Sequence, residues 1–372
     1  MSETVDFVVV GGGAMGSAAA WHLARRGVNV VLIDQFEWPH TRGASHGTSR
    51  NLNLLQANRE MIDLACESQR WIQTLEESTG LQLIDQTGIL VHGPAAPEAD
   101  KIAFFRECGL DVQDVPLDEA AQRWAGFRVD TRAVWNPDSG RLNLEGLITA
   151  MRADTLVHGG VIRSHERVSG ISVLGEDRVE VALEGGAIIT KKVIVAAGAW
   201  TADLLDGIVA LPPLTVTQEQ PAHFPVMNSE HVWPSFMHKR DVADPKYRYW
   251  HSDTYGMLTP GQGVKIGWHA VGKIVHPDRR DFLPEAGQLQ ALRDYAEEWM
   301  PGLDFRSPDV LSCTYTTPPD STFILDSHGP LTIGAGFSGT GAKFTGAIGR
   351  VLADLAMGAP AASASFSLQR FM

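Results

Sequence analysis

Apolar residues along the chain fall into a few distinct patterns. Phe7 to Val10 is an unbroken apolar run, as in a parallel strand buried on both faces. Val28 to Ile33 predicts a second strand, so that the stretch as a whole reads as strand, tight turn, helix and strand in succession. Val179, Val181 and Leu183 alternate with polar residues. A Gly-Gly pair turns the chain there, and Val193 to Ala197 is again continuously apolar, ending at Gly198. Leu331 to Ile333 predicts another strand, and Phe344, Ile348, Leu352 and Leu355 then recur at helical spacing. In "GVKIGWHAVG" the alternation is strict. Gly263, Lys265, Gly267 and His269 share one face and Val264, Ile266, Trp268 and Ala270 the other, and the glycines are expected to leave room for a flat ring. By the same period Leu311, Cys313 and Tyr315 share a face.

Glycines add chemistry to the first pattern. Gly11, Gly13 and Gly16 form G-x-G-x-x-G between a strand and a helix. Gly11 permits the turn, Gly13 lets backbone approach a pyrophosphate, and Gly16 lets the helix pack closely. Ala14 and Met15 open the helix, whose N-terminus directs a positive dipole end at phosphates. Asp34 closes the second strand, where an acid accepts from a ribose hydroxyl. The motif alone does not separate FAD from NAD. A second loop, with Gly334, Gly336, Gly339 and Gly341, precedes the C-terminal helix. Such a loop can stabilise the negative edge of a reduced flavin ring, which a nicotinamide enzyme does not need.

Composition narrows the class. The chain has 372 residues, enough for more than one domain. A net charge of −13 argues against nucleic acid or anionic membranes as partners. No apolar run reaches membrane-spanning length, and "MSETVDF" has no basic segment of a secretory signal. Cys66, Cys108 and Cys313 are odd in number and far apart, which fits a reducing, cytoplasmic setting and neither a disulfide framework nor a metal site. A cysteine beside Tyr315 reads first as a buried structural thiol, since free cysteines are among the most buried residue types, with a reactive thiol as the alternative.

The stretches "VVVGGGAMG", "PHTRGASHGTSR", "GVKIGWHAVG", "SCTYTTPPDSTFILD" and "GAGFSGTGAKF" occur in this order over nearly the whole chain. Together they resemble the monomeric sarcosine oxidase and N-methyltryptophan oxidase family of FAD-dependent amine oxidases. The resemblance implies an α/β (α+β), two-domain flavoprotein with a Rossmann-like FAD domain and a mixed-sheet substrate domain. The FAD domain is expected at 1–85, 146–214 and 306–372, and the substrate domain at 86–145 and 215–305, its sheet roofing the flavin. It also implies a covalent flavin at Cys313, oxygen activation by Lys265, and His46 and Arg50 beside the ring. Ser45, Ser49, Val168 and Gly198 join the glycine loops as cofactor contacts. Lys343 and Tyr255 are implied on the substrate side, with His269 and Tyr315 in the active site.

Three positions depart from sarcosine oxidase. Asn53 stands where an arginine binds the carboxylate, Thr48 replaces an aspartate, and Thr340 replaces a histidine. A neutral amide cannot reproduce a guanidinium's bidentate pair. The expected substrate is therefore an N-substituted amino acid larger than sarcosine, fructosyl amino acids being one option, unless Arg240 or Arg248 supplies the missing clamp. The expected reaction oxidises the C–N bond of a secondary amine and passes electrons to oxygen, giving hydrogen peroxide. A dehydrogenase with another acceptor and a non-catalytic flavin-binding subunit are the alternatives. A monomer or small homo-oligomer is expected.

Overall fold

Strand Glu3–Val10 lies near the middle of an eight-stranded sheet, with Val8 and Val9 fully buried. The computed structural model describes residues 3–361 and 363–372; Met1 and Ser2, where the first domain segment and the N-terminal reading begin, and Ala362 lie outside them. The strand pairs in parallel with Val30–Ile33 on one side and Gly186–Val195 on the other. Val161–Arg163 continues the sheet beyond Val30–Ile33. Gly186–Val195 is used in two halves. Its first half forms an antiparallel hairpin with Arg178–Leu183, and its second half runs parallel to Leu331–Ala335. The alternating sequence around the hairpin and the continuous apolar run after it record these two environments. Helices Ala14–Arg25 and Thr345–Ala356 pack so closely that a Cβ at Gly349 would lie 2.6 Å from the Ala18 carbonyl carbon.

A second eight-stranded sheet runs in the order 309–310, 222–224, 263–268, 254–259, 235–238, 89–92, 133–136, 113–115. All its pairs are antiparallel except Ser235–His238 with Ile89–His92. Its back face carries an aromatic core that includes Phe236, Trp250 and Trp268, closed by Tyr295 and Trp299 of helix Ala286–Trp299. Alternation sends Tyr255, Met257 and Lys265 to the other face. A three-stranded sheet of Thr215–Glu219, Lys273–Ile274 and Cys313–Thr317 stands beside that face.

Several sequence expectations change at their edges. The second strand starts at Val30, because Gly27 is still turning at φ 73° and Asn29 is exposed. The strand through Val193 stops at Val195. The second glycine loop enters a 3-10 turn, Gly341–Phe344, before the helix begins at Thr345. Strand Gly263–Trp268 ends before His269, since Ala270 adopts a left-handed φ of 57°. Leu311 and Ser312 also fall outside any strand. No helix among the described residues is long and apolar enough to cross a membrane.

Candidate active site

The two glycine loops face one cavity of about 390 Å³. Gly11, Gly13, Ala14, Met15, Asp34, Ser45, Val168 and Gly198 line it from the nucleotide-type half, and Gly336, Gly339, Gly341, Cys313 and Tyr315 from the other. Gly11 has φ 103°, and a Cβ there would lie 2.9 Å from the Ala197 Cα, so the turn fits tightly against the end of the neighbouring strand. Gly16 lies off the cavity. A Cβ on it would collide with the Gly11 carbonyl, so it serves helix packing. Ser45 accepts from the Ala14 N–H at 3.0 Å. Asp34 accepts the Phe36 N–H on Oδ1 at 3.1 Å, while its buried Oδ2 has no hydrogen-bond partner. His40 Nε2 is 3.8 Å from that oxygen, too far for a hydrogen bond, and a buried acceptor without a donor at a cavity wall is costly, so a ribose hydroxyl fits that need. These residues fit FAD.

A second cavity of about 470 Å³ lies under the free face of the second sheet. Arg50, Cys313, Tyr315, Gly339 and Ala342 line both volumes, so the cavities meet there. Arg50 is held at this junction by the carbonyls of Ala44, His46 and Ser49. Lys265, only 3 % exposed, donates to the Ser49 carbonyl. Burial, and then the nearby Arg50, push its amine well below the usual lysine range. Ser49 lines neither cavity. Its hydroxyl bonds Thr259, which also bonds His223 Nε2 at 2.9 Å. Burial holds His46 neutral, its pKa down to about 3, and its Nε2 is unpartnered on the second-cavity wall.

Tyr255, His269 and Tyr315 form the adjoining wall. Burial pushes the Tyr255 phenol up to about 12. The His269 ring lies 5.3 Å from that of Tyr315. Gly267 makes room for the Tyr255 ring, to which a Cβ would approach within 2.8 Å; the neighbouring side chain, and no cofactor, explains that glycine. Gly263, at φ 99°, abuts the backbone of Phe224 and Pro225. Cys313 is half-buried and free, with Arg280 donating to the adjacent Ser312 hydroxyl at 2.8 Å.

Lys343, Asn53 and Thr340 line the second cavity, and Thr48 lines neither. Burial lowers the Lys343 amine to about 8, and it donates to the Thr340 carbonyl at 2.8 Å. Asn53 is engaged locally: its Oδ1 accepts from the Leu55 N–H at 2.9 Å and its amide nitrogen lies 3.3 Å from the Met237 sulfur. Arg240 is tied to the Trp250 and His251 carbonyls and Arg248 is exposed, and neither reaches the cavity wall. Lys239 and Lys101 do. The sequence reading passed over both, although Lys239 immediately follows strand Ser235–His238, two residues beyond Met237, which also lines the cavity.

A family described as FAD dependent oxidoreductase matches residues 6–355. Monomeric sarcosine oxidase of Bacillus sp. (strain B-0618) is 34% identical over 372 residues, covering 96% of this chain and 93% of that protein. N-methyl-L-tryptophan oxidase of Yersinia pestis (strain Pestoides F) is 27% identical over 98% of this chain and 99% of its own. Among solved structures NikD, an unusual amino acid oxidase essential for nikkomycin biosynthesis, superposes with a TM-score of 0.86. It is 24% identical and covers 97% of this chain and 96% of its own, a likeness of fold. With a dinucleotide cradle opening onto a second, cation-lined volume, the chain belongs to the family of FAD dependent oxidoreductases.

Proposed function

We propose that this enzyme oxidises the C–N bond of an N-substituted amino acid and passes the electrons to oxygen, releasing hydrogen peroxide. The observation that carries this is the junction at Arg50, Cys313, Tyr315 and Gly339, where the cofactor cradle meets the second cavity. A bound flavin supplies the two-electron acceptor chemistry. Lys343 binds the substrate carboxylate. The surrounding cations disfavour an ammonium and so favour the neutral amine that oxidation requires. Tyr255 and His269 wall the space beside it, together with Tyr315. Arg50 gives the junction a permanent positive charge. Negative charge developing on dioxygen favours the protonated form of Lys265, which then stabilises it.

Cys313 is the proposed attachment point of a covalent flavin. It lines both cavities, and Arg280 donates to the hydroxyl of the adjacent Ser312. Residues 1–85, 146–214 and 306–372 are proposed as the cofactor unit and 86–145 and 215–305 as the substrate unit. The strands of the two large sheets support this, Asp309–Val310 excepted. A reducing, cytoplasmic setting suits the three free thiols.

The test is peroxide release from N-alkyl amino acids with oxygen as sole acceptor, comparing wild type with Lys265→Met. The variant is expected to slow flavin reoxidation about a hundredfold or more. Anaerobic flavin reduction should change much less. Absence of peroxide with a full panel of secondary amines would refute the reading.

A further inference from the structure

The wall of the second cavity runs against the composition of the chain. The sequence carries 44 acidic and 31 basic residues. Yet Arg50, Lys101, Lys239, Lys265 and Lys343 all line this cavity, against Asp253 as its one carboxylate. Asp253 is already paired with Lys239 at 2.9 Å and also accepts the Arg240 N–H. The other four have no carboxylate partner among the described residues and hydrogen-bond to backbone carbonyls, Lys265 to Ser49, Lys343 to Thr340, Lys101 to Ala57 and Arg50 to three. Burial pushes the Lys265 amine down, so the charge that counts here is that of Arg50, Lys101 and Lys343. A carbonyl stabilises a cation but leaves its charge uncompensated, so the wall is set to receive anions.

A substrate with one carboxylate uses only part of this charge. Arg50 stands at the junction with the cofactor cavity, Lys265 shares the Ser49 carbonyl with it, and Lys343 takes the amino acid carboxylate. Lys101 remains. It belongs to helix Ala99–Glu107 and reaches across to the Ala57 carbonyl at 2.8 Å, its ammonium 4.4 Å from the Phe104 ring centroid and 5.0 Å from that of Phe105. The side chain is thus held along the cavity wall. Lys101, Lys239 and Gln56 line the second cavity and not the first. A volume of about 470 Å³ is in the range that takes drug-sized ligands and far exceeds what a methylated glycine fills.

We propose that the substrate is a secondary-amine dicarboxylate, an amino acid whose N-substituent ends in a second carboxylate held by Lys101 with Lys239 in support. This rests on the amine-oxidation reading above. Neutral sugar-bearing substituents leave the Lys101 charge unanswered, and basic ones are repelled by it.

The test uses the holoenzyme and pairs of compounds matched in length. N-(2-carboxyethyl)glycine is compared with N-propylglycine by kcat/KM, in wild type and Lys101→Met. In parallel, (2-carboxyethylthio)acetate and (propylthio)acetate, which have sulfur in place of the amine, are titrated by the change in flavin absorbance. The diacid should be favoured about tenfold or more in both assays, and Lys101→Met should reduce that preference about tenfold. Equal binding of the two thioethers, or an unchanged preference in Lys101→Met, would overturn the proposal. If the thioether diacid binds preferentially through Lys101 but no amine is oxidised, the subsite stands and the amine-oxidation reading falls.

Discussion

Lys343 sits 8 % exposed with a single carbonyl as its hydrogen-bond partner, and burial brings its amine down to about 8. Below that pH it is an ammonium, as the proposed contact with the substrate carboxylate requires; above it the charge is lost. The substrate amine works in the opposite sense, since it must be neutral to react. The pH profile of kcat/KM should therefore rise from the acid side and fall again as pH passes about 8. Lys343→Met should abolish the alkaline limb and lower the plateau by roughly ten- to a hundredfold, the loss of a charge-assisted hydrogen bond worth about 1.5–3 kcal/mol. An alkaline limb that survives in the variant would assign it to another group. At this scale the sequence conveyed residue types better than partners. Lys265, Arg50, Cys313 and Lys343 stood out by motif, and all four line the joined cavities. That the polar atoms of Asn53 are spent on Leu55 and Met237 depends on local geometry and on a strand far along the chain, which no motif records.

The short strand Thr215–Glu219 holds the edge of the site together. Glu219, 1 % exposed, stands opposite Cys313 in register. Its carboxylate accepts from the Thr217 hydroxyl at 2.6 Å and from the Val271 and Gly272 N–H groups at 3.2 Å. These bonds fix the turn that follows His269 and carries the left-handed Ala270. Burial nevertheless pushes the Glu219 carboxyl above its usual range. Glu219→Ala should leave the part-buried Val271 and Gly272 N–H groups without this acceptor, cost about 1 kcal/mol for each, and loosen His269. The expected outcome is a lower unfolding midpoint and a raised KM. Glu219→Gln, which keeps an acceptor, should restore most of both. A Glu219→Ala enzyme with normal KM and stability would remove the turn from the machinery of the site. The alternation in "GVKIGWHAVG" placed Lys265 on the correct face but carried the strand past Trp268. The element that ends it is a carboxylate some fifty positions upstream in sequence, which periodicity does not register.

For the whole molecule, the first sheet was legible because its strands follow one another with local signals: a continuous run, a glycine turn, an acid. The second sheet was less so. It joins Ile89–His92 in parallel to Ser235–His238, a pairing between distant stretches that no local pattern encodes. That pairing also creates a feature with a consequence for stability. His92 and His238 stack in the aromatic core with ring centroids 3.9 Å apart, and the Nε2 atoms of both lack a partner. His22, bonded to the Gly346 carbonyl at 2.9 Å, is buried between Trp21 and Trp71. Burial lowers His92 to about 3 and His22 to about 4, from the 6.5 of a free imidazole. Above pH 6.5 both are neutral whether the chain is folded or not, so they add no pH dependence. As pH falls below that value the unfolded chain takes up protons that the folded core refuses, and stability declines towards the folded pKa values. At pH ~5.5 each of these two histidines should cost about 1 kcal/mol relative to pH ~7.5. Urea unfolding at those two pH values should show the drop, and His22→Gln, which keeps a donor for the Gly346 carbonyl, should shrink it by about 1 kcal/mol. An identical drop in that variant would mean that His22 already titrates normally in the folded chain, and that its burial between the two indoles is looser than its contacts indicate.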